Sequence, residues 1–133
     1  FAINVRAPFI LAQAMQAQLT SDSHGKVINL NDWRTARPTR FAYGITKSAL
    51  SGLTRTLALS MAPHVQANEI SLGAILPPSD IPIDRPRREI EIDLGPADRM
   101  GSLNEVADTM LMLIKIDFIT GETINVDGGR HIQ

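Results

Sequence analysis

Tyr43 and Lys47 stand four residues apart in Phe41-Ala42-Tyr43-Gly44-Ile45-Thr46-Lys47-Ser48-Ala49-Leu50, a segment with helical periodicity. On a helix that spacing stacks a phenol and an ammonium on one face. A neighbouring ammonium stabilises phenolate and lowers the tyrosine pKa, which makes the phenol a candidate proton donor to a substrate near neutral pH. The same spacing also arises in amphipathic helices as a solvated pair, so the elements around it decide its meaning.

Lys26-Val27-Ile28-Asn29-Leu30 is a short apolar, β-branched run with Gly25 before it and Asn31-Asp32 after it. It predicts a buried strand that ends in a loop, with Asp32 at its carboxyl end. The basic, proline-containing stretch 34–40 then leads into the Tyr43/Lys47 helix. Ala67-Asn68-Glu69-Ile70-Ser71-Leu72 predicts a second strand, followed by Gly73-Ala74-Ile75-Leu76-Pro77-Pro78, and Glu122-Thr123-Ile124-Asn125-Val126 a third, closed by Asp127-Gly128-Gly129. Strands alternating with helices predict an α/β domain with a parallel sheet, whose ligands gather at the carboxyl ends of the strands.

The remaining elements frame this core. Residues 3–19 carry apolar side chains at helical spacing, with Pro8 tolerable in the first turn. Residues 42–61 form the longest predicted helix, with Ile45, Ala49, Leu53, Leu57 and Met61 as one stripe and Pro63 ending it. That stripe is expected to be core or a subunit-packing face. Residues 77–96 mix prolines with Arg85, Arg87, Arg88, Glu89, Glu91 and Asp93 and predict a solvated loop or short helix. A last helix is predicted over 103–116, with Asn104 as its N-cap.

Composition narrows the classes. With 133 residues and 44% hydrophobic side chains, one domain can bury a sizeable core. A net charge of −1 supplies no electrostatic reason to expect nucleic acid. The absence of cysteine removes a thiol nucleophile, a disulfide framework and Cys-ligated zinc. No apolar run reaches the roughly eighteen residues of a membrane span. His24, His64 and His131 lack metal-ligand spacing and are expected at the surface, and no metal is expected. Phe1 in place of Met suggests a chain cut from a longer protein.

Taken together, these motifs resemble the short-chain dehydrogenase/reductase family over nearly the whole chain. The residues that carry the resemblance are Asn4-Val5-Arg6-Ala7-Pro8-Phe9, the Val27 to Leu30 strand, Tyr43-x-x-x-Lys47, the Asn68 strand with Gly73, Phe118-Ile119-Thr120-Gly121 and Val126-Asp127-Gly128-Gly129. A serine normally stands where this chain has Asp32. An aspartate there, with Leu76-Pro77-Pro78 and the ending Asp127-Gly128-Gly129-Arg130-His131, is similar to the pteridine and dihydromonapterin reductases. The chain departs from the family in length, which is about half the usual, and in lacking G-x-G-x-x-G. Asp32 stands about two residues nearer Tyr43 than in the family, and Leu72-Gly73 replaces the usual Pro-Gly.

The resemblance implies a Rossmann-like, doubly wound parallel sheet, with residues 1–133 as the carboxyl-terminal half of a single domain. It implies an NAD(P)H-dependent oxidoreductase, NADPH following from the subgroup, that reduces a dihydropterin-type substrate. Tyr43 would be the proton donor. Lys47 would bind the nicotinamide ribose, and Asn4 would kink its helix and anchor a water in a proton relay. Tyr43, Lys47, Asn29, Leu30, Gly73 and Ile75 would contact the cofactor, and Asp32, Trp33, Tyr43 and Leu76 the substrate, under a loop formed by residues 77–96. Asp32 read by itself could equally be a loop cap, and Trp33 could stack on a heterocycle or simply pack. The arginines of 34–40 are expected to be solvated. A cytoplasmic homo-oligomer, dimer or tetramer, binding a small molecule and neither nucleic acid nor membrane, completes the expectation. The alternatives are a carbonyl (keto) reductase of the same family, with Asp32 incidental, and a non-catalytic chain acting through its helix-packing surface.

Overall fold

The computed structural model describes residues 1–77, 92 and 94–133. A π-helical turn, Ala2–Arg6, runs directly into α1, Ala7–Gln16. Strand β1, Gly25–Asp32, is followed by the 20-residue helix α2, Phe41–Ser60, and by β2, Val65–Leu72. Helix α3, Leu103–Lys115, and the short strand β3, Thr123–Val126, complete the layers before a terminal 3-10 turn, Arg130–Ile132. The three strands are parallel in the order β1-β2-β3, as the alternation of elements predicts. The loop expected to cover the substrate falls largely on 78–91 and 93, outside the described residues.

Strand β2 is buried at nearly every position, the mark of a parallel strand covered on both faces. Val65 and Ala67 enter a core built with Ala12 of α1, Leu57 and Ala58 of α2, and Met61, against which Met15, Leu19, Val27 and Leu53 pack. Helix α3 packs against β2 and β3, with Leu113 fully buried. Asn68 of β2 gives the Phe118–Gly121 motif its structural meaning. Its amide donates to the Ile119 carbonyl at 2.8 Å, and its side-chain oxygen accepts from Glu122 N–H at 3.0 Å. The Gly121 N–H adds a 2.7 Å bond to the Ala67 carbonyl, which brings β3 in beside β2.

Three sequence expectations are corrected. Strand β1 does not stop before Asn31 but continues through Asp32, because Asn31 and Asp32 pair in register with Ser71 and Leu72. The N-cap of α3 is Ser102, not Asn104. Ser102 Oγ accepts from Glu105 N–H at 3.2 Å, and Glu105 returns a bond to the Ser102 N–H at 2.7 Å, a reciprocal capping box. The buried face of α2 runs through Gly44, Thr46, Leu50, Thr54, Leu57 and Ala58, whereas Ile45, placed in the predicted stripe, is exposed. Threonines can line that face because their hydroxyls are satisfied: Thr54 donates to the Leu50 carbonyl and accepts from Asn29 Nδ2.

Candidate active site

The carboxyl end of β1 and the first two turns of α2 meet at Asp32, Tyr43 and Lys47. The Tyr43 hydroxyl donates to Asp32 Oδ2 at 3.1 Å. Lys47, one turn along, donates to the Leu30 carbonyl at 2.9 Å, with its Nζ 5.9 Å from the Tyr43 ring centre. Asp32 also accepts from the Arg34 N–H at 2.9 Å, and Arg37 Nη2 sits 2.6 and 2.7 Å from its two oxygens. Arg37 was expected to be solvated; the path of the loop instead turns it back onto Asp32. That path depends on Gly44, since a Cβ there would collide with the Thr35 carbonyl oxygen.

The electrostatics differ from the expectation for Tyr43. Its pKa is raised, chiefly by burial and then by the Asp32 charge and hydrogen bond, with Arg37 and Arg40 pulling the other way. The Lys47 ammonium points to a carbonyl rather than to the phenol oxygen. Burial pushes the Lys47 pKa down, and Asp32 and Glu69 oppose that shift. A phenol so placed keeps its proton at neutral pH, the state a proton donor must start from.

Asn4 lies in the π-helical turn, a geometry frequent where a helix serves a site. Its amide donates to Thr46 Oγ1 at 3.0 Å, and Thr46 donates to the Tyr43 carbonyl at 2.8 Å, so Asn4 braces the turn of α2 that carries Tyr43. Asn29 spends its side-chain amide on Thr54, inside the layer between sheet and helix. Gly73 sits where the Asp127 main chain and Cβ crowd the space a side chain would need, and its N–H bonds the Val126 carbonyl. Ile75 lines a cavity of about 490 Å³ with Arg99, Glu105, Asp127 and His131, while Leu76 is exposed.

Trp33 carries the Arg130 guanidinium 4.4 Å from its ring centre, with Arg34 at 5.9 Å. Trp33 and His131 share a more open cavity of about 470 Å³ with Arg34 to Ala36 and Gln133. His131 is more than the surface residue expected: its Nδ1 lies 2.9 Å from Oδ2 of the buried Asp127, which also accepts from the Gly129 and His131 N–H groups. Gly128 and Gly129 both adopt positive φ to make that turn, a conformation that favours glycine.

Beneath Lys47 lies a polar cluster that sequence reasoning missed. Glu69, 3% exposed in the middle of β2, accepts from Ser51 and Thr123 at 2.9 Å and from Asn31 Nδ2 at 3.0 Å. The Asn31 amide also reaches the Lys47 carbonyl at 3.1 Å. A glutamate inside a strand buried on both faces was the available signal, because such a carboxylate requires donors from its neighbours. Among the described residues no group of His, Asp and Glu is placed to hold a metal ion, and no helix is long and apolar enough to cross a membrane.

Comparison with known proteins agrees with the fold. A family model described as enoyl-(acyl carrier protein) reductase matches residues 1–131. Protein FixR of Bradyrhizobium diazoefficiens is 33% identical over 99% of this chain and 48% of its own length. Dihydromonapterin reductase of Klebsiella pneumoniae is 29% identical over 98% of this chain and 55% of its own. The crystal structure of FolM alternative dihydrofolate reductase 1 from Brucella canis, complexed with NADP, superposes with a TM-score of 0.85 at 34% identity, covering 99% of this chain and 52% of that one. The chain thus spans about half the length of the curated relatives it matches. It belongs to the short-chain dehydrogenase/reductase family.

Proposed function

We propose that the protein is an NADPH-dependent reductase of a dihydropterin-type substrate, with residues 1–133 as the carboxyl-terminal part of its Rossmann-type domain. The observation that carries this reading is the Tyr43 hydroxyl resting on the Asp32 carboxylate at the end of β1, with the Lys47 ammonium one turn along α2. The similarity to dihydromonapterin reductase and to a FolM protein crystallised with NADP supports the same class.

When bound, the nicotinamide supplies the hydride. The residues of this chain fit such a group: Lys47 uses one of its three N–H donors on Leu30, which leaves two for ribose hydroxyls. Tyr43 breaks its bond to Asp32 Oδ2 and delivers its one proton to the reduced nitrogen, and its raised pKa holds that proton until then. Asp32 Oδ2, released when the Tyr43 hydroxyl turns to the reduced nitrogen, accepts from an N–H of the amidine-like pterin edge as a charged acceptor, which a serine hydroxyl cannot be. Asn4 keeps the Tyr43 turn in place, while Asn29, Leu30, Gly73 and Ile75 would help hold the nicotinamide. Trp33, half-buried beneath the Arg130 guanidinium, and Leu76 border the substrate. The protein acts in the cytoplasm as a homo-oligomer, for which Ile45 and Leu59 leave exposed apolar surface on α2.

A carbonyl reductase is the second reading, and it draws on the Arg34 N–H bond to Asp32, the bond of a loop cap. Measuring kcat/KM for a dihydropterin and for a plain ketone separates the two. Tyr43→Phe should lower turnover of both by roughly a hundredfold, with cofactor affinity kept. Asp32→Ser should weaken dihydropterin reduction selectively. Equal losses on both substrates would favour the ketone, and full turnover in Tyr43→Phe would overturn the assignment of the proton donor.

A further inference from the structure

Of the charged side chains around Tyr43, Arg37 is one that the reductase reading leaves without a task. Its guanidinium is fixed at two points: Nη2 holds both oxygens of Asp32, and Nε donates to the Arg34 carbonyl at 2.9 Å. The pair is withdrawn from solvent, with side-chain exposures of 26% for Arg37 and 17% for Asp32. The contacts divide the carboxylate. Oδ1 accepts from Arg37 and the Arg34 N–H, and Oδ2 from Arg37 and the Tyr43 hydroxyl. Turning the carboxylate would break several of these bonds at once, so Oδ2 stays aimed at the phenol.

This arrangement answers a difficulty of the site. A carboxylate bonded to a phenol opposes loss of the phenolic proton, because the departing proton leaves two like charges side by side. An adjacent cation offsets that repulsion. We propose that Arg37 is a positioning residue of the proton-donating site: it holds the Asp32 carboxylate in place beside Tyr43 while the phenol leaves Oδ2 to give its proton to the substrate, and it counters the carboxylate charge as Tyr43 becomes phenolate. This assignment rests on the reductase reading of Tyr43. The charged groups around the phenol are Asp32 on β1, Arg37 and Arg40 in the connecting loop, and Lys47 on α2. Asp32 disfavours ionisation of the phenol, and the two arginines favour it.

Tyr43 is the single tyrosine of these 133 residues. A near-ultraviolet difference titration of the protein against its Tyr43→Phe form isolates the Tyr43 phenolate and needs no activity. Arg37→Met should move that ionisation to higher pH, and R37K, which keeps the charge, should return it toward the original midpoint. Turnover near neutral pH should fall about tenfold in Arg37→Met with KM for NADPH unchanged. Should circular dichroism show Arg37→Met unfolded, Arg37→Gln, which keeps an amide donor without the charge, is read in the same way. An unmoved or lowered Tyr43 midpoint in a folded, active variant overturns the role of Arg37. A raised midpoint in a protein that reduces neither pterin nor ketone supports the Arg37–Asp32–Tyr43 coupling and counts against the reductase reading instead.

Discussion

Replacing Glu69 probes the frame that holds Lys47 in place. This carboxylate accepts three hydrogen bonds inside the sheet-helix layer, from Asn31 on β1, Ser51 on α2 and Thr123 on β3. In Glu69→Gln the amide supplies a single acceptor atom. If its oxygen serves Ser51 and Thr123, its NH₂ faces the Asn31 NH₂, donor against donor; if it is reversed, its NH₂ donates to the two hydroxyls, whose own protons must then turn to other acceptors. Either way at least one donor loses its carboxylate acceptor, the buried Asn31 amide in the first case and the hydroxyls in the second, at a cost of about 1–3 kcal/mol. Glu69→Ala removes the acceptor for all three and opens a cavity, and with two hydroxyls free to rotate to other partners the loss should be about 3–5 kcal/mol. Set against a typical domain stability of about 5–15 kcal/mol, the alanine variant should be near the edge of folding. Urea unfolding with an unchanged slope measures both losses. Glu69 is also one of the two anions that oppose the burial shift of Lys47. Removing it should therefore lower the Lys47 pKa further, and the alkaline limb of cofactor binding should move to lower pH. An alanine variant within about 0.5 kcal/mol of the parent protein would refute the network, and so would a glutamine variant less stable than the alanine one.

Gly44→Ala sets two effects against each other. Alanine gains about 1 kcal/mol of helix propensity over glycine, but its Cβ strikes the Thr35 carbonyl, and overpacking against backbone costs roughly 1–3 kcal/mol. Net destabilisation in thermal unfolding is expected, together with an altered Tyr43 titration as the loop carrying Arg37 is displaced; a more stable variant would mean that the loop does not seat on α2. Glu105 at the start of α3 has its pKa pulled down to about 2 by Arg99 and Ser102. A carboxylate depressed on folding contributes stability that is complete above its ordinary pKa and lost as pH falls through the folded value. Since the pair is exposed, solvent screens it, and the effect should appear as fraying of the first turn of α3 between about pH 4.5 and 2 rather than as global unfolding. Amide exchange at Val106 follows that fraying, and Ser102→Ala should weaken its pH dependence; an indifferent Ser102→Ala would exclude the capping box as its source.

The strands could be read in the sequence where apolar runs mark them, but not where pairing overrules polarity. Asn31 and Asp32 look like the start of a loop, yet they complete β1 because Ser71 and Leu72 offer them partners. In the same way, a periodicity count passes over Thr46 and Thr54, whereas the helix buries them with their hydroxyls satisfied and leaves Ile45 outside. The Ser102-x-x-Glu105 spacing was legible as a capping box and outweighs the propensity of Asn104, since it satisfies two N–H groups reciprocally.

The candidate site divides along the same line. Tyr43 and Lys47 are set by helix geometry, so a spacing of four is enough to place them on one face. Asp32 reaches them because the parallel sheet delivers its carboxyl end to the start of the next helix, a consequence of the alternation of elements. Arg37 follows from neither rule. It reaches Asp32 only because the loop is short and lies tightly over α2, where Gly44 admits the Thr35 carbonyl. Glu69 is hidden for the opposite reason: its signal, a charge within an apolar strand, is plain, but its three partners come from three elements distant in sequence. Local periodicity therefore accounts for the groups that would carry the chemistry. The groups that hold and charge-balance them are set by tertiary contacts, and the two halves of the site meet at Asp32, which a sequence reading can place at the end of its strand but whose protein partners it leaves unassigned.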